Sequence, residues 1–445
     1  MLRHLLLVFC LLPLASPASE KPNIVLFFVD DLGWTDVGFR SDRFETPNID
    51  ALAKDGISFE QAYVASPTCS PSRSTLVTGQ HTARIRMVRH IPKAVEHSKE
   101  FNLLPTDPAQ FPSRNWLPLE HTTYAEALGE LGYYNLFVGK WHLGHEEFHP
   151  VHQGFDRQIG TSNDGAPKSY YPPYFRGELP ILKNVKPDQY LTDRLTDDTI
   201  DFIGLHDKEL PFMISLWYYA VHKPHVAHED YLDASEAKGL SEDDAKYATM
   251  IRAVDESVGR IRKTLEDRGI AENAVIIFTS DQGSWFENPP YRGSKRVDTL
   301  GEGGARVPFF IAWPGVTPTD AQNQSLVQTT DLFPTLVEIA GGNPLDYENL
   351  DGVSLLPILA ENKTLDRGTP LFGYRAYQDL YVSVREGPWK LLGYRSGKSE
   401  LYHVEDDRFE KNDLTEQHPE KAKELISKLI EWEKEMQVEE FSGFQ

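Results

Sequence analysis

Residues 23–33 read NIVLFFVDDLG. A continuous apolar run of this length is what a strand buried on both faces of a parallel sheet requires. It ends in two adjacent carboxylates, Asp30 and Asp31. Neighbouring acids at the end of a buried strand repel, and both ionise at low cost only when a cation lies between them. Alone, the pair is equally readable as a helix cap with an exposed neighbour. The same arrangement recurs three times, however. Residues 134–138 lead into Gly139-Lys140-Trp141-His142-Leu143-Gly144, residues 211–220 into Val221-His222-Lys223-Pro224-His225, and residues 274–279 into Ser280-Asp281-Gln282-Gly283. Helical spacing is found at 46–53, 122–131, 191–205 and 243–268. Strand after strand ending in titratable residues, with helices between, predicts an α/β fold. We expect a large doubly wound mixed sheet flanked by helices, with its site at the carboxyl ends of the strands.

A fifth element belongs to that edge. After a short strand at 59–64 comes Cys69-Ser70-Pro71-Ser72-Arg73, followed by Leu76 and Thr78-Gly79. Pro71 suits the first turn of a helix, because its fixed φ fits and its missing N–H is not needed there. Gly79 is placed to end that helix. The spacing therefore puts a sulfur at a helix N-terminus, where free amides and the macrodipole favour negative charge, with the Arg73 guanidinium one turn in. That is a place to hold an anion.

The 445 residues carry 45 Lys+Arg against 67 Asp+Glu, a formal net charge of −22. This argues against general binding of nucleic acid or an anionic membrane. A locally basic run, Arg84, Arg86, Arg89, His90 and Lys93, fits an anionic substrate or a solvated face equally. At the N-terminus, Arg3 and His4 precede an apolar run at 5–14, and Ser16-Pro17-Ala18 offers small residues for cleavage. We read 1–18 as a signal peptide, too short to span a bilayer, and no other stretch reaches the length of a span. Cleavage after Ala18 removes Cys10 and leaves Cys69 alone, without a disulfide partner. A secreted or periplasmic location follows as the expectation. With only two N-glycosylation sequons, at Asn323 and Asn362, a lysosomal one is less favoured.

Residues 95–120 and 149–190 lack clear periodicity and read as loops; Tyr170, Tyr171 and Tyr174 in the second suggest a sugar-facing aromatic surface. Further on come a strand at 307–313 and a helix capped by Thr330-Asp331. Toward the C-terminus the texture changes to short strands (380–384, 389–394, 399–403), then a helix with Ala422, Leu425, Ile426, Leu429 and Ile430 on one face. We expect a catalytic α/β domain over 19–365 and a smaller C-terminal α+β subdomain over 366–445.

Cys69-Ser70-Pro71-Ser72-Arg73 resembles the Cys-x-Pro-x-Arg signature of the type I, formylglycine-dependent sulfatases of the alkaline phosphatase superfamily. The other motifs agree in order: Asp30-Asp31, the Lys140–His142 turn, His222 before Pro224, Asp281-Gln282-Gly283, and the Lys295 loop running to Gly303-Gly304. The resemblance implies that Cys69 is oxidised by a maturation enzyme to formylglycine, whose hydrate attacks sulfur and then releases sulfate. It assigns Asp30, Asp31, Asp281 and Gln282, with the modified Cys69, to a hard cation, Ca2+ or alternatively Mg2+. Arg73 and Lys140 would hold the hydrated aldehyde, and Lys140 and Lys295 the sulfate oxygens. His142 would assist the hydroxyl during elimination, and His222 would protonate the leaving alcohol. Gln282 stands where many members have Asn, and the Lys295 loop is slightly longer than the common form. The implied activity is a sulfuric ester hydrolase acting on a sulfated carbohydrate. The alternatives are a phosphonate or phosphate monoester hydrolase of the same superfamily, or a sulfated-glycan binding protein should Cys69 stay a thiol.

Overall fold

The computed structural model describes residues 21–92, 100–162, 164–175, 182–237, 239–376 and 378–444. The expected signal peptide lies outside the described residues. Among the described residues fourteen strands follow in chain order: β1 Asn23–Val29, β2 Ile57–Tyr63, β3 Phe101–Asn102, β4 Ser113–Arg114, β5 Tyr134–Gly139, β6 Arg157–Ile159, β7 Phe212–Trp217, β8 Ala274–Ser280, β9 Phe310–Ala312, β10 Ala321–Gln328, β11 Leu371–Tyr374, β12 Leu380–Glu386, β13 Trp389–Tyr394 and β14 Ser399–His403. The large sheet has the order β10-β2-β9-β8-β1-β7-β5-β6. β1 sits between β7 and β8, parallel to both. β9 alone runs antiparallel, to both β2 and β8.

β1 shows why the apolar run had to be continuous. Its side chains alternate, as the pleat dictates. Val25, Phe27 and Val29 join the core on one face, and Ile24, Leu26 and Phe28 join the core on the other. The first face is covered by helices Pro47–Lys54, Leu191–Leu205 and Glu242–Asp267, which bury Leu52, Leu195 and Val258 against it. The second is covered by Cys69–Thr78, Tyr124–Glu130 and Leu332–Ile339. Helices on both faces leave the carboxyl edge of the sheet open, so the residues after β1, β5, β7 and β8 converge there.

The C-terminal strands form a separate antiparallel sheet, β11-β12-β13-β14. Helix Pro419–Glu435 packs beside it through Ala422, Leu425, Leu429 and Trp432, with Ile426 half-buried. Lys390 of β13 reaches the first sheet's territory, bonding Glu302 at 2.9 Å and Glu410 at 3.0 Å in a buried cluster.

Several local expectations change. The helix bearing the cysteine starts at Cys69 itself, two residues before Pro71, because Thr68 is already extended and caps the turn by its backbone geometry. The strand expected at 307–313 pairs only over Phe310–Ala312, since Phe309 O is taken by Phe59 N outside the ladder. Residues 101–102 and 113–114 pair as a minimal two-stranded sheet inside the region read as loop. The sequon residue Asn323 is buried in β10, and its amide donates to Asn362 Oδ1 at 2.8 Å and to Lys363 O at 3.2 Å. Among the described residues no helix is long and apolar enough to cross a membrane.

Candidate active site

Five chain segments meet at Cys69. The thiol is buried at the first turn of helix Cys69–Thr78, all of whose residues are buried. Its Sγ lies 3.3 Å from Gln282 Nε2, 3.7 Å from Lys295 Nζ and 4.0 Å from Asp30 Oδ1. Burial opposes its ionisation, but Lys140 and Lys295 outweigh burial and bring the thiol well below its ordinary range.

The carboxylates of Asp30 and Asp31 lie in one cluster, and Asp31 is left-handed, at φ 68°, which breaks the alternation of β1. A non-glycine residue there is uncommon, and the surroundings must hold it. Here Tyr247 donates its hydroxyl to Asp31 O at 2.9 Å, and Asp31 N donates to Asp281 Oδ1 at 3.1 Å. Each buried acid then meets a base, Lys140 and Arg73 buried and Lys295 half-buried on the pocket side. Asp30 pairs with Lys140, Asp31 with Lys295 at 2.6 Å, and Asp281 with Arg73 at 2.8 Å. Arg73 also donates to Lys140 O at 2.7 Å, and its guanidinium lies 5.3 Å from the Phe28 ring centroid and 5.5 Å from that of Trp217. Such a guanidinium cannot swing. Burial works to raise Asp30, yet Lys140, His222 and Arg73 hold it down at about 2. Burial, with repulsion from Asp30, pushes Asp31 and Asp281 up instead.

The two histidines are fixed by their outer nitrogens. His142 Nε2 lies 2.9 Å from Ile91 O, so it carries the proton it donates there. That leaves Nδ1 as the acceptor; it is buried with no hydrogen-bond partner by geometry among the described residues, and it faces the thiol. His142 too is left-handed, at φ 57°. His222 Nδ1 lies 2.7 Å from Lys223 O, and its Nε2 points inward, 3.9 Å from Asp31 Oδ2.

A sulfatase family model matches residues 22–342. The chain belongs to the sulfatase family. A model described as the C-terminal part of N-sulphoglucosamine sulphohydrolase matches residues 295–439 of this sulfatase. It is 34% identical over 415 residues to the N-acetylgalactosamine-6-sulfatase of Mus musculus, covering 87% of this chain and 75% of that one. It is 30% identical to a sulfatase of Formosa agariphila, covering 90% and 84%. Among solved structures it is similar to Ps i-CgsB in complex with k-i-k-neocarrahexaose, at 30% identity and a TM-score of 0.80, over 94% of each chain.

The sulfatase's acid cluster fits a hard divalent cation. Ligand oxygens of Asp30, Asp31 and Asp281 lie within 4.8 Å of one another, and Asp30, Cys69 and His222 form a second such group. Each carboxylate keeps acceptor positions beyond its ion pair. Gln282 Nε2 is drawn 2.7 Å from Asp31 Oδ1. Turning that amide over, which its two ends permit equally, presents Oε1 to the carboxylates and completes an all-oxygen donor set. Gln282 and Lys295 both contact Asp31, at 2.7 Å and 2.6 Å.

The ten site residues that the resemblance assigns are brought to this one place. Cys69, His142, His222, Gln282 and Lys295 line a pocket of about 410 Å3, with Asp30, Asp31, Asp281, Arg73 and Lys140 beneath. The pocket also takes His90, Trp285 and Arg375, of which only His90 drew notice in the sequence, and Gly165. A Cβ at Gly165 would come within 2.4 Å of His142 Cε1, so this loop rests directly on the imidazole. No sequence pattern marks that contact.

Two sequence expectations do not hold. Tyr170 and Tyr174 are core residues, not a sugar-facing surface. The Tyr170 hydroxyl donates to Tyr219 O at 2.6 Å and His222 O at 2.8 Å, buttressing the His222 turn from below, and Tyr174 donates to Gln189 O at 2.7 Å. The basic run disperses as well. Arg84 pairs with Asp351 at 2.6 Å and Arg86 bonds Gln437 O, while His90 reaches the pocket. Lys93 lies outside the described residues.

Proposed function

We propose that this sulfatase releases sulfate from a sulfated carbohydrate, with Cys69 converted to formylglycine by a maturation enzyme and Asp30, Asp31, Asp281 and Gln282 holding Ca2+ or Mg2+. The observation that carries the reading is the position of Cys69 Sγ, within 4.0 Å of Asp30, Gln282 and Lys295 at the floor of an open pocket. When bound, the cation polarises a sulfate oxygen and makes a nearby hydroxyl more acidic. Hydrated formylglycine offers two hydroxyls on one carbon, so one attacks sulfur and displaces the alcohol, and loss of the other's proton then breaks the C–O bond to the sulfate, releasing it and regenerating the aldehyde.

The chain's own groups do the rest. Lys295, on the pocket side, takes a sulfate oxygen, and Lys140 takes another from below. Arg73 fixes Asp281 and the Lys140 carbonyl, which keeps both aligned. His142 accepts the second hydroxyl's proton at Nδ1, since Nε2–H is committed to Ile91 O. His222, with Nδ1 fixed on Lys223 O, presents Nε2 toward the site and is the group placed to give a proton to the leaving alcohol. The cysteine-to-aldehyde step needs an oxidising maturation route, in keeping with the proposed secretion or export to a periplasm after cleavage at Ala18.

The test joins mass and turnover. Protein from a host possessing the maturation enzyme should give a tryptic peptide containing Cys69 at the aldehyde mass, and should hydrolyse aryl sulfate well ahead of matched aryl phosphate. A preference for phosphate would replace the sulfatase reading by a phosphomonoesterase one, and an unmodified thiol would favour a binding protein. Sulfate release from defined sulfated oligosaccharides then identifies the sugar. N-terminal sequencing of the exported protein tests cleavage after Ala18.

A further inference from the structure

Trp285 is one of the residues that line the pocket. Three cations surround its indole: Lys223 Nζ lies 4.4 Å from the ring centroid, the Arg296 guanidinium 5.2 Å and Lys295 Nζ 5.8 Å. Lys295 is committed to Asp31. Lys223 and Arg296 are different: both are exposed, and neither has a carboxylate in ion-pair range among the described residues. Their neighbours contrast with them. Arg292 pairs with Asp298 and Glu400, and Arg306 pairs with Glu302. In a chain of net charge −22, these two cations share one aromatic ring and have no acid as ion-pair partner. Among the described residues, moreover, no carboxylate lines the pocket.

An aromatic face orients a cation without neutralising it. An acid in the same position would orient it and cancel its charge. The indole therefore restrains two long side chains, lowering the entropy lost when they close on a ligand, and leaves both charges available, Lys223 on the pocket lining and Arg296 beside it on the same ring. A group bound at Cys69 already meets Lys295, 3.7 Å from the Sγ, so the target left to these two cations is a second group.

We infer that Lys223 and Arg296, held over Trp285, form a subsite for a second anionic group, a sulfate ester or a carboxylate, on the sugar that bears or adjoins the scissile sulfate. The inference rests on the sulfated-carbohydrate reading and adds that the substrate is multiply charged. A monoanionic sugar leaves these cations facing water; a polyanionic one pairs with them.

The test is calorimetric binding to the full chain carrying Cys69→Ala, so that no turnover intrudes. The probes are saccharide pairs alike except for one anionic group: N-acetylgalactosamine 6-sulfate against the 4,6-disulfate, carrageenan-type disaccharides with one or two sulfates, and a sulfated disaccharide with or without a uronic carboxylate. In at least one pair the more charged member should bind about tenfold tighter at low salt, with the preference shrinking as salt rises. Adding Lys223→Gln and Arg296→Gln should remove that preference, costing the more charged member about tenfold and its partner less than twofold. Trp285→Leu, which keeps both charges but frees them, should cost about threefold. Equal or absent binding within every pair overturns the inference, and so does a loss that is the same for both members. The parent reading fails by a different sign: converted protein that releases no sulfate from any ester, whatever the binding preference.

Discussion

At the scale of single residues, the site is held by what lies just outside it. Gly165 is the clearest case. Its missing Cβ lets a loop rest on the His142 ring, and Gly165→Ala drives an atom into that ring. A displacement near 1 Å costs on the order of 100-fold in rate. We expect kcat for sulfate-ester hydrolysis to fall about 10- to 100-fold while the thermal midpoint stays within a few degrees, as compared by steady-state kinetics and a melting curve. The carboxylates make a second prediction. Adding Ca2+ to chelator-treated protein should raise the thermal midpoint, by an amount equivalent to about 2.7 kcal/mol at a hundredfold excess over Kd. Asp281→Asn should abolish most of that rise, and scanning calorimetry reads both. Asp30, Asp31 and Asp281 were legible in the sequence because each follows an unbroken apolar strand, and strand ends meet at one edge in this fold class. Gly165 and Trp285 were not, because a loop's path depends on distant packing and its sequence carries no period.

Among the elements, helix Cys69–Thr78 sets the position of the nucleophile's precursor, and Gly79 ends it in the left-handed region at φ 66°. A Cβ at Gly79 would also come within 2.7 Å of Phe333 Cβ. Gly79→Ala combines a disfavoured backbone with overpacking, and urea titration should show a loss of about 2–4 kcal/mol. Where the C-terminal helix docks, His81 is buried, with its ring 4.8 Å from Trp432 and Nε2 3.0 Å from Phe372 O. Burial, against the opposing pull of Asp351, lowers its pKa from 6.5 to about 4. The unfolded chain then binds the extra proton first. The neutral ring's contribution is complete above pH 6.5 and declines as pH falls toward 4, by on the order of 3 kcal/mol. His81→Gln should flatten this part of the stability–pH curve. Two of the strands that escaped sequence reading did so for different reasons. β10, AQNQSLVQ, is a polar edge strand with little apolar alternation, and β11 is only four residues long.

For the whole molecule, the fold class followed from four apolar runs, but the join between the two sheets did not. It depends on buried charge. Lys390 lies between Glu302 and Glu410, and Glu302 also takes Arg306 and the Tyr63 hydroxyl. Burial works to raise Glu302, yet Lys390, Arg306 and Arg385 bring it down to about 2. Lys390→Met leaves two acids buried without their shared base, and such a break costs about 3–5 kcal/mol. Chemical denaturation should show that loss, while Lys390→Arg should recover part of it. Lysines and glutamates far apart in a sequence give no sign of meeting, so this join became visible only in three dimensions.

The bond between Asn323 and Asn362 bears on how the chain is made. Both asparagines begin acceptor sequons, and oligosaccharide is attached to a chain that is still extended. A glycan on Asn323 would occupy the nitrogen that donates to Asn362 and Lys363, at a position only 4% exposed. The β10 edge would then be unable to close. Passage through a glycosylating secretory pathway would thus divert the chain to quality control before it folds, whereas Asn323→Gln would relieve the block. Production in a host without that machinery avoids it altogether.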